Sequence, residues 1–69
     1  MKTTEDFDRG CRVRVKIPGH HMDGMIGTVT GRDFYTVDVR LDAITPEMMR
    51  YEDTRTGCAA FAPEKLEKV

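Results

Sequence analysis

The sequence predicts an all-β domain, a small five-stranded antiparallel barrel that ends in a short helical turn. Three observations predict it: short stretches of alternating apolar and polar residues, glycines that interrupt them at close intervals, and no helical pattern longer than a turn or so. A chain of 69 residues has room for one such domain. A barrel is favoured over an open sheet because closure removes the exposed edges.

The composition limits the class of protein. Hydrophobic residues make up 39% of the chain and charged residues 33%, which is typical of a folded globular domain. The formal net charge is −1, whereas domains that mainly bind nucleic-acid phosphates carry a basic excess. No apolar run approaches the roughly 20 residues that a membrane helix needs, so we expect no membrane insertion.

The N-terminus and the cysteines indicate the compartment. Residues 1–6 include acids where a signal peptide has its apolar segment, so we expect a cytoplasmic protein. The two cysteines, Cys11 and Cys58, are too few for a disulfide framework and show no Cys-x-x-Cys spacing. We therefore expect both thiols to be reduced.

The first half of the chain gives the clearest strand. Residues 1–9 are polar apart from Phe7 and are expected to form a flexible leader, ordered in part only if Phe7 docks on the barrel, which would occupy residues 10–69. In the stretch 11–17, apolar and cationic residues alternate at every position, which is typical of a half-buried strand. Its predicted inner residues are Cys11, Val13, Val15 and Ile17, and its outer residues are Arg12, Arg14 and Lys16.

Two further strands follow. After a loop over residues 18–24, a second strand is predicted at 25–30, where Gly27 indicates a bulge or a tight bend. A turn is predicted at 31–33. A third strand is predicted at 35–41. Four of its side chains are expected to face the core: Tyr35, Val37, Val39 and Leu41.

The last third has a weaker pattern. Thr45 and Pro46 resemble a helix start, so residues 42–57 are interpreted as a loop with one helical turn, or alternatively with a short strand at 48–51. Residues 58–61 predict a short strand. Residues 63–66 predict a single helical turn that leads to the C-terminus.

Four landmarks occur in order: Gly10-Cys11-Arg12-Val13-Arg14-Val15, then 24–29, 35–41 and 61–67. Together they resemble the SH3-like barrels of electron-transfer accessory subunits, above all the stromal E subunit of photosystem I. The variable chain of ferredoxin–thioredoxin reductase is similar, and KOW and Tudor-type modules share the pattern more loosely. The resemblance covers residues 9–69 and implies an SH3-like fold with a non-catalytic docking role. It also implies that the strands holding Cys11 and Cys58 pair with these residues at opposite ends, too far apart for a disulfide.

A stripe of cations is the strongest candidate for a binding surface. Arg12, Arg14 and Lys16 share the outer face of the first strand, with Arg9 just before it. Such a stripe can dock an acidic protein surface or follow a nucleic-acid backbone. Alternatively it is a solvated face whose charges are offset by an acid on a neighbouring strand, such as Asp38.

The histidines admit two interpretations. His20 and His21, with Asp23, suggest a metal site, but zinc requires four ligands and the thiols are distant in sequence. We therefore expect a polar, exposed loop that adds to the binding surface, and no cofactor.

Met49, Tyr51 and Phe34 form a second candidate patch. Met48 and Met49 cannot both point inward if they lie in a strand, so one of them is expected outside, near Tyr51. Met25 is expected in the core. Exposed methionine and aromatic side chains are typical of protein-binding surfaces.

Catalytic patterns are lacking: there is no phosphate-binding glycine loop and no serine in the sequence. We expect a protein that is not an enzyme, is monomeric when free, and binds a larger protein or complex through Arg9, Arg12, Arg14, Lys16, His20, His21, Phe34, Met49 and Tyr51. A nucleic-acid-associated module of the KOW or Tudor type is the second choice. A small inhibitor that covers the surface of a host enzyme is the third.

Overall fold

Residues 3–69 form one antiparallel sheet and three short 3₁₀ turns. A computed structural model describes residues 3–69. The strands are β1 (Arg12–Val15), β2 (Ile26–Arg32), β3 (Val37–Leu41), β4 (Cys58–Phe61) and β5 (Leu66–Lys68). The 3₁₀ turns are Thr4–Asp6, Met48–Arg50 and Pro63–Lys65. The predicted all-β class, with five antiparallel strands and no long helix in the described part of the chain, is confirmed.

The strand order in the sheet is β4-β3-β2-β1-β5, and every neighbouring pair is antiparallel. The middle of the sheet is fixed by Val13 opposite Gly27 and by Gly27 opposite Leu41. On one side of it β5 pairs with β1 through Val15 and Leu66, and on the other β4 pairs with β3 through Val37 and Phe61.

The core lies on one face of this sheet because the alternation of the sequence places its apolar residues there. Burial alternates along β1 and along β3, with valines inside and charged residues outside. The buried apolar residues form one cluster: Phe7, Val13, Val15, Met22, Val29, Val37, Val39, Leu41, Met48, Phe61 and Leu66. Three partly buried residues pack against this cluster: Cys11, Ile17 and Met25. Cys11 and Ile17 are the two ends of the predicted first strand, and both lie outside β1.

Gly27 has a different role from the predicted one. The register shifts two residues later, between Val29 and Gly31, so the irregularity of β2 lies at Thr30. A Cβ atom at position 27 would lie 2.5 Å from the carbonyl oxygen of Arg40 and 2.7 Å from Cγ1 of Val39. Glycine is therefore required at this position because β3 approaches β2 closely there.

The turn between β2 and β3 corrects two predictions. Strand β2 continues through Gly31 and Arg32, which were expected in the turn. Strand β3 begins at Val37, so Tyr35 belongs to the turn and is 82% exposed instead of facing the core. The reason is local: the carboxylate of Asp33 accepts hydrogen bonds from the backbone N–H groups of Tyr35 and Thr36, which holds both residues in a turn.

Residues 42–57 form a loop with one helical turn, Met48–Arg50, which is one of the two alternatives for this segment. The Thr45 hydroxyl accepts a hydrogen bond from the backbone N–H of Met48. The helical turn itself begins at Met48 with Glu47 as its N-cap, so it starts two residues later than Thr45 and Pro46 predict. Met48 is fully buried and Met49 is 57% exposed, so the expected split between the two methionines is confirmed. The alternative short strand at 48–51 is wrong.

The fifth strand lies at the C-terminus. Residues 58–61 form a strand and residues 63–65 a helical turn, as predicted, but Leu66–Lys68 then pairs with β1, which was not predicted. Cys58 lies on β4, and β4 pairs with β3 instead of with the strand that follows Cys11. The expected pairing of the strands that hold the cysteines is therefore wrong, although both cysteines are free thiols.

The N-terminal segment is attached to the core through Phe7, which is 1% exposed. A 3₁₀ turn at Thr4–Asp6 precedes it, and the backbone N–H of Thr3 donates to the Asp6 carboxylate over 2.9 Å. Within the expected leader 1–9, Met1 and Lys2 lie outside the described residues. Residues 3–9 reach the sheet because the side chain of Arg32 donates to the carbonyl oxygen of Phe7 over 3.0 Å.

We predict that Gly27→Ala lowers the free energy of unfolding by about 2 kcal/mol, because the new methyl group would overlap the backbone of β3. The matched control is Gly31→Ala in the same strand, where the nearest atom to a new Cβ is 3.6 Å away. This control should remain within about 0.5 kcal/mol of the wild type. Urea unfolding of the three proteins measures both effects. Equal losses in the two variants would contradict the close approach of β3 to Gly27.

Candidate functional site

The cationic stripe lies on the outer face of the sheet, as the alternation predicts. Arg12 and Arg14 point outward from β1, and Lys16 follows just beyond its end. Their side chains are 49%, 46% and 58% exposed. The three cations are therefore accessible to a partner, although each also has an acidic neighbour within the chain.

Arg12 is held by a two-pronged ion pair with Asp42. Its guanidinium donates to the two carboxylate oxygens over 2.9 and 2.5 Å, and to the hydroxyl of Thr28 over 2.8 Å. The hydrogen bond from Arg12 lowers the pKa of the Asp42 carboxyl below its ordinary value, and the nearby positive charge lowers it further. The contact fixes the guanidinium against the sheet and neutralises its charge.

Arg14 and Lys16 share a single carboxylate, that of Glu67 on β5. Arg14 contacts one oxygen over 3.3 Å and Lys16 the other over 3.5 Å. Burial raises the pKa of the Glu67 carboxyl, but the charge of Lys16 and the hydrogen bonds from both cations outweigh it, so the net shift is downward. Because two cations share one acid, this part of the stripe keeps a positive charge.

The positive charges of the stripe are balanced by Asp42 and Glu67, and the predicted partner Asp38 is not among them. Asp38 was the expected partner, but it lies on β3 opposite Gly31 and Ala60, and β2 separates it from β1. Asp42 and Glu67 take this role instead, 30 and 53 residues along the chain from the arginines they contact. No local pattern in the sequence indicates either pair.

Arg40 adds a fourth cation to the outer face, one that is not among the predicted site residues. It points outward from β3, directly opposite Thr28 in the register, and is exposed. Within residues 3–69, Arg40 and Arg9 make no ion pair with a side chain. The register aligns Arg12, Thr28 and Arg40 in one row across three strands. This row places Arg40 on the same surface as the stripe.

A groove of about 390 Å³ runs along this row on the outer face. Thr28, Thr30 and Arg40 line it from the sheet, and Ile44, which is 46% exposed, lines it from the loop after β3. The carboxylate of Asp42, which is paired with Arg12, also lines the groove. The groove therefore combines hydroxyl groups, the Arg40 guanidinium, a carboxylate and an apolar wall, which suits a short polar side chain.

The predicted histidine and tyrosine residues come together at one end of the strands. The rings of His20 and His21 are stacked with their centroids 4.3 Å apart, and the Tyr51 ring lies 6.3 Å from that of His21. Nδ1 of His20 accepts a hydrogen bond from the backbone N–H of Met22 over 3.2 Å. The three rings thus join the β1–β2 and β3–β4 connections, while Met49 and Tyr51 stay more than half exposed.

Phe34 is not part of that cluster. It lies in the β2–β3 turn, whereas the histidines lie in the connection at the other end of β2. Since β2 spans seven residues, these ends are roughly 20 Å apart. The patch predicted from Met49, Tyr51 and Phe34 therefore divides into two separate surfaces.

Asp23, the acid near the two histidines, accepts a hydrogen bond from the backbone N–H of Ile17 over 2.9 Å. In the described part of the chain, no group of three or more His, Cys, Asp or Glu side chains is placed to hold a metal ion. Over the same residues, no helix has the length and apolar character needed to cross a membrane.

No family model matches the sequence, and comparisons with curated proteins and with solved structures likewise give no match. The interpretation of the site therefore rests on the residues and their geometry.

We predict that stability falls as the pH is lowered through the acidic range. Asp42 and Asp33 have pKa values below the ordinary aspartate value because each carboxylate accepts hydrogen bonds in the folded chain. A depressed carboxyl pKa contributes stability that is complete above the unfolded value of about 3.9 and is lost as the pH falls through the folded value. The urea midpoint should therefore drop between pH 5 and pH 2.

The matched pair for this test is Asp42→Asn and Asp53→Asn. Asp42 is paired with Arg12, whereas Asp53 is exposed and makes no ion pair among the described residues. Asp42→Asn should flatten the pH dependence, and Asp53→Asn should leave it as steep as in the wild type. A midpoint that does not change with pH in the wild type would show that these hydrogen bonds are absent in solution.

Proposed function

We propose that this chain is an SH3-like barrel and a non-catalytic docking module that binds an acidic surface of a larger protein through the outer face of its sheet. The proposal has two parts: the closure of the sheet, and the use of its outer face.

The connector between β4 and β5 supports closure. These strands are the two edges of the sheet, so a flat sheet would place them four strand spacings, or about 19 Å, apart. Four residues, Ala62 to Lys65, join them, and three of these form a 3₁₀ turn. Such a connector spans about 13 Å, which supports a curled sheet whose two edges approach each other.

The register strengthens this argument. Phe61 is paired with Val37, which is paired with Arg32 at the end of β2. Leu66 is paired with Val15, whose backbone N–H donates to the carbonyl oxygen of Met25, just before the start of β2. In a flat sheet the two ends of the connector would also be displaced by roughly 20 Å along the strands. Coiling of the sheet removes this displacement, as it does in small barrels.

The observation that carries the docking proposal is an outer sheet face with accessible cations and a groove. Arg12, Arg14 and Lys16 line one side of this face, and Arg40 adds a cation without an ion pair among residues 3–69. Beside them lies the groove formed by Thr28, Thr30, Arg40 and Ile44. A polar, charged surface with a small apolar element, here Ile44, is typical of non-obligate protein contacts.

Charge determines the kind of partner. Three stripe cations face two carboxylates, and Arg40 adds to the positive side, while Asp38 is the acid that β3 contributes to the same face. The ion pairs with Asp42 and Glu67 restrain the cations, which lowers the entropy lost on binding. An aspartate or glutamate of the partner can then pair with Arg40 in the groove while its neighbours contact Arg14 and Lys16.

We predict that the triple variant Arg14→Gln, Lys16→Gln, Arg40→Gln binds the partner about tenfold more weakly, since rim charges contribute modestly one by one. The partner is first isolated with tagged protein from native lysate at low salt after nuclease treatment. Its affinity for the purified wild type and variants is then measured by interferometry. Binding by the wild type should weaken as salt rises, because exposed charges are screened.

The control is Arg50→Gln, Arg55→Gln, Lys68→Gln, which removes the same charge from exposed positions outside the stripe. It should bind as the wild type does. Equal affinity of both triple variants would overturn the assignment of the outer face. Loss of all recovery after nuclease would instead indicate a nucleic-acid module, in which the stripe contacts phosphates.

A further inference from the structure

The turn between β2 and β3 presents two neighbouring aromatic rings to solvent. Phe34 is 93% exposed and Tyr35 is 82% exposed, the two largest values among the exposed large apolar side chains. A phenylalanine exposed to this extent favours aggregation and contributes nothing to the core, so an adjacent pair of exposed rings marks a contact surface.

The turn holds these rings in a defined position. The Asp33 carboxylate accepts hydrogen bonds from the backbone N–H groups of Tyr35 and Thr36 over 2.8 and 2.7 Å, and from the Thr36 hydroxyl over 3.2 Å. These hydrogen bonds keep the pKa of Asp33 below its ordinary value, and the bond from the Thr36 N–H has the largest effect. The carboxylate is therefore ionised at neutral pH and lies next to the rings.

A groove beside Phe34 carries negative charge. It is lined by Thr4, Glu5, Arg32, Asp33 and Phe34. The guanidinium of Arg32 is already bound by the Asp8 carboxylate and by the carbonyl oxygen of Phe7, each at 3.0 Å. The Glu5 side chain makes no ion pair within residues 3–69, so Glu5 and Asp33 leave the groove acidic.

We propose that this aromatic tip, formed by Phe34 and Tyr35 with the groove of Glu5 and Asp33, binds a lysine or arginine side chain of a partner protein, next to an apolar residue. A cation placed over the Phe34 ring gains a cation–π interaction, and its charge is balanced by the two carboxylates. The apolar neighbour covers the Tyr35 ring. Charge complementarity thus selects a basic protein segment over the phosphates of a nucleic acid or of an anionic membrane, which the carboxylates repel.

The aromatic tip is separate from the proposed docking face. It lies at the end of β2 opposite the histidine and tyrosine cluster, and its charge has the opposite sign to that of the stripe. A partner bound at the outer face and a basic segment bound at the tip can therefore be tested independently. Failure at the tip would leave the outer-face proposal intact.

The test is a titration of ¹⁵N-labelled protein with the peptide acetyl-Gly-Leu-Arg-Leu-Gly-amide, followed by two-dimensional NMR. We expect saturable amide shifts at residues 33–36 and at Glu5, with a Kd in the millimolar range that is usual for one anchoring side chain. Phe34→Ala and Glu5→Gln should each weaken binding roughly two- to fivefold. Both side chains are exposed, so neither change should affect folding.

Three controls determine the interpretation. Tyr51→Ala removes an exposed ring at the other end of β2 and should leave the affinity unchanged. The peptide with glutamate in place of arginine should cause no saturable shift at the tip. Equal binding of both peptides, or shifts confined to the histidine cluster, would overturn the proposal. Shifts at the tip with a single-stranded oligonucleotide or with anionic phosphatidylserine vesicles, but not with the arginine peptide, would overturn it as well.

Discussion

The need to bury one face of a single sheet governs the rest of this structure. The inner face carries valines that are fully buried, yet the longest helical element in residues 3–69 has three residues and cannot cover a sheet. The cover must come from the sheet itself, which is why we propose that it curls into a barrel. Phe7, Met22 and Met48 fill the remaining space from the N-terminal segment and the two long connections.

A curled sheet leaves its outer face to solvent, and the chain fills that face with charged and hydroxyl side chains. Long-range ion pairs then connect distant parts of the sequence, from Arg12 to Asp42 and from Arg14 to Glu67. The Glu67 contacts also hold the three-residue strand β5 against β1. The same residues therefore stabilise the edge of the fold and form the proposed docking face, so a change at Glu67 affects both.

Local patterns predicted what depends on local physics. The alternation from Arg12 to Val15 predicted the first strand and its outward cations, and Thr45 with Pro46 predicted a helical turn, which the structure places at Met48–Arg50. The alternation of apolar residues in β3 predicts Tyr35 in the core only if the strand extends back to residue 35. Tyr35 is exposed instead, because a hydrogen bond to the Asp33 carboxylate holds it in the turn before β3. The partners of the cations could not be predicted, since Asp42 and Glu67 are brought to the stripe by the topology and not by spacing.

The proposed closure is tested most directly by NOEs from the ring of Phe61. The account predicts contacts from this ring to the methyl groups of Val13 or Val15 on β1 and of Leu66 on β5, across the interior of the barrel. In an open sheet, β2 and β3 separate β4 from β1, and on the sheet the ring would reach β3 but not Val13 or Val15. NOEs confined to Val37 and Val39 would therefore contradict the account.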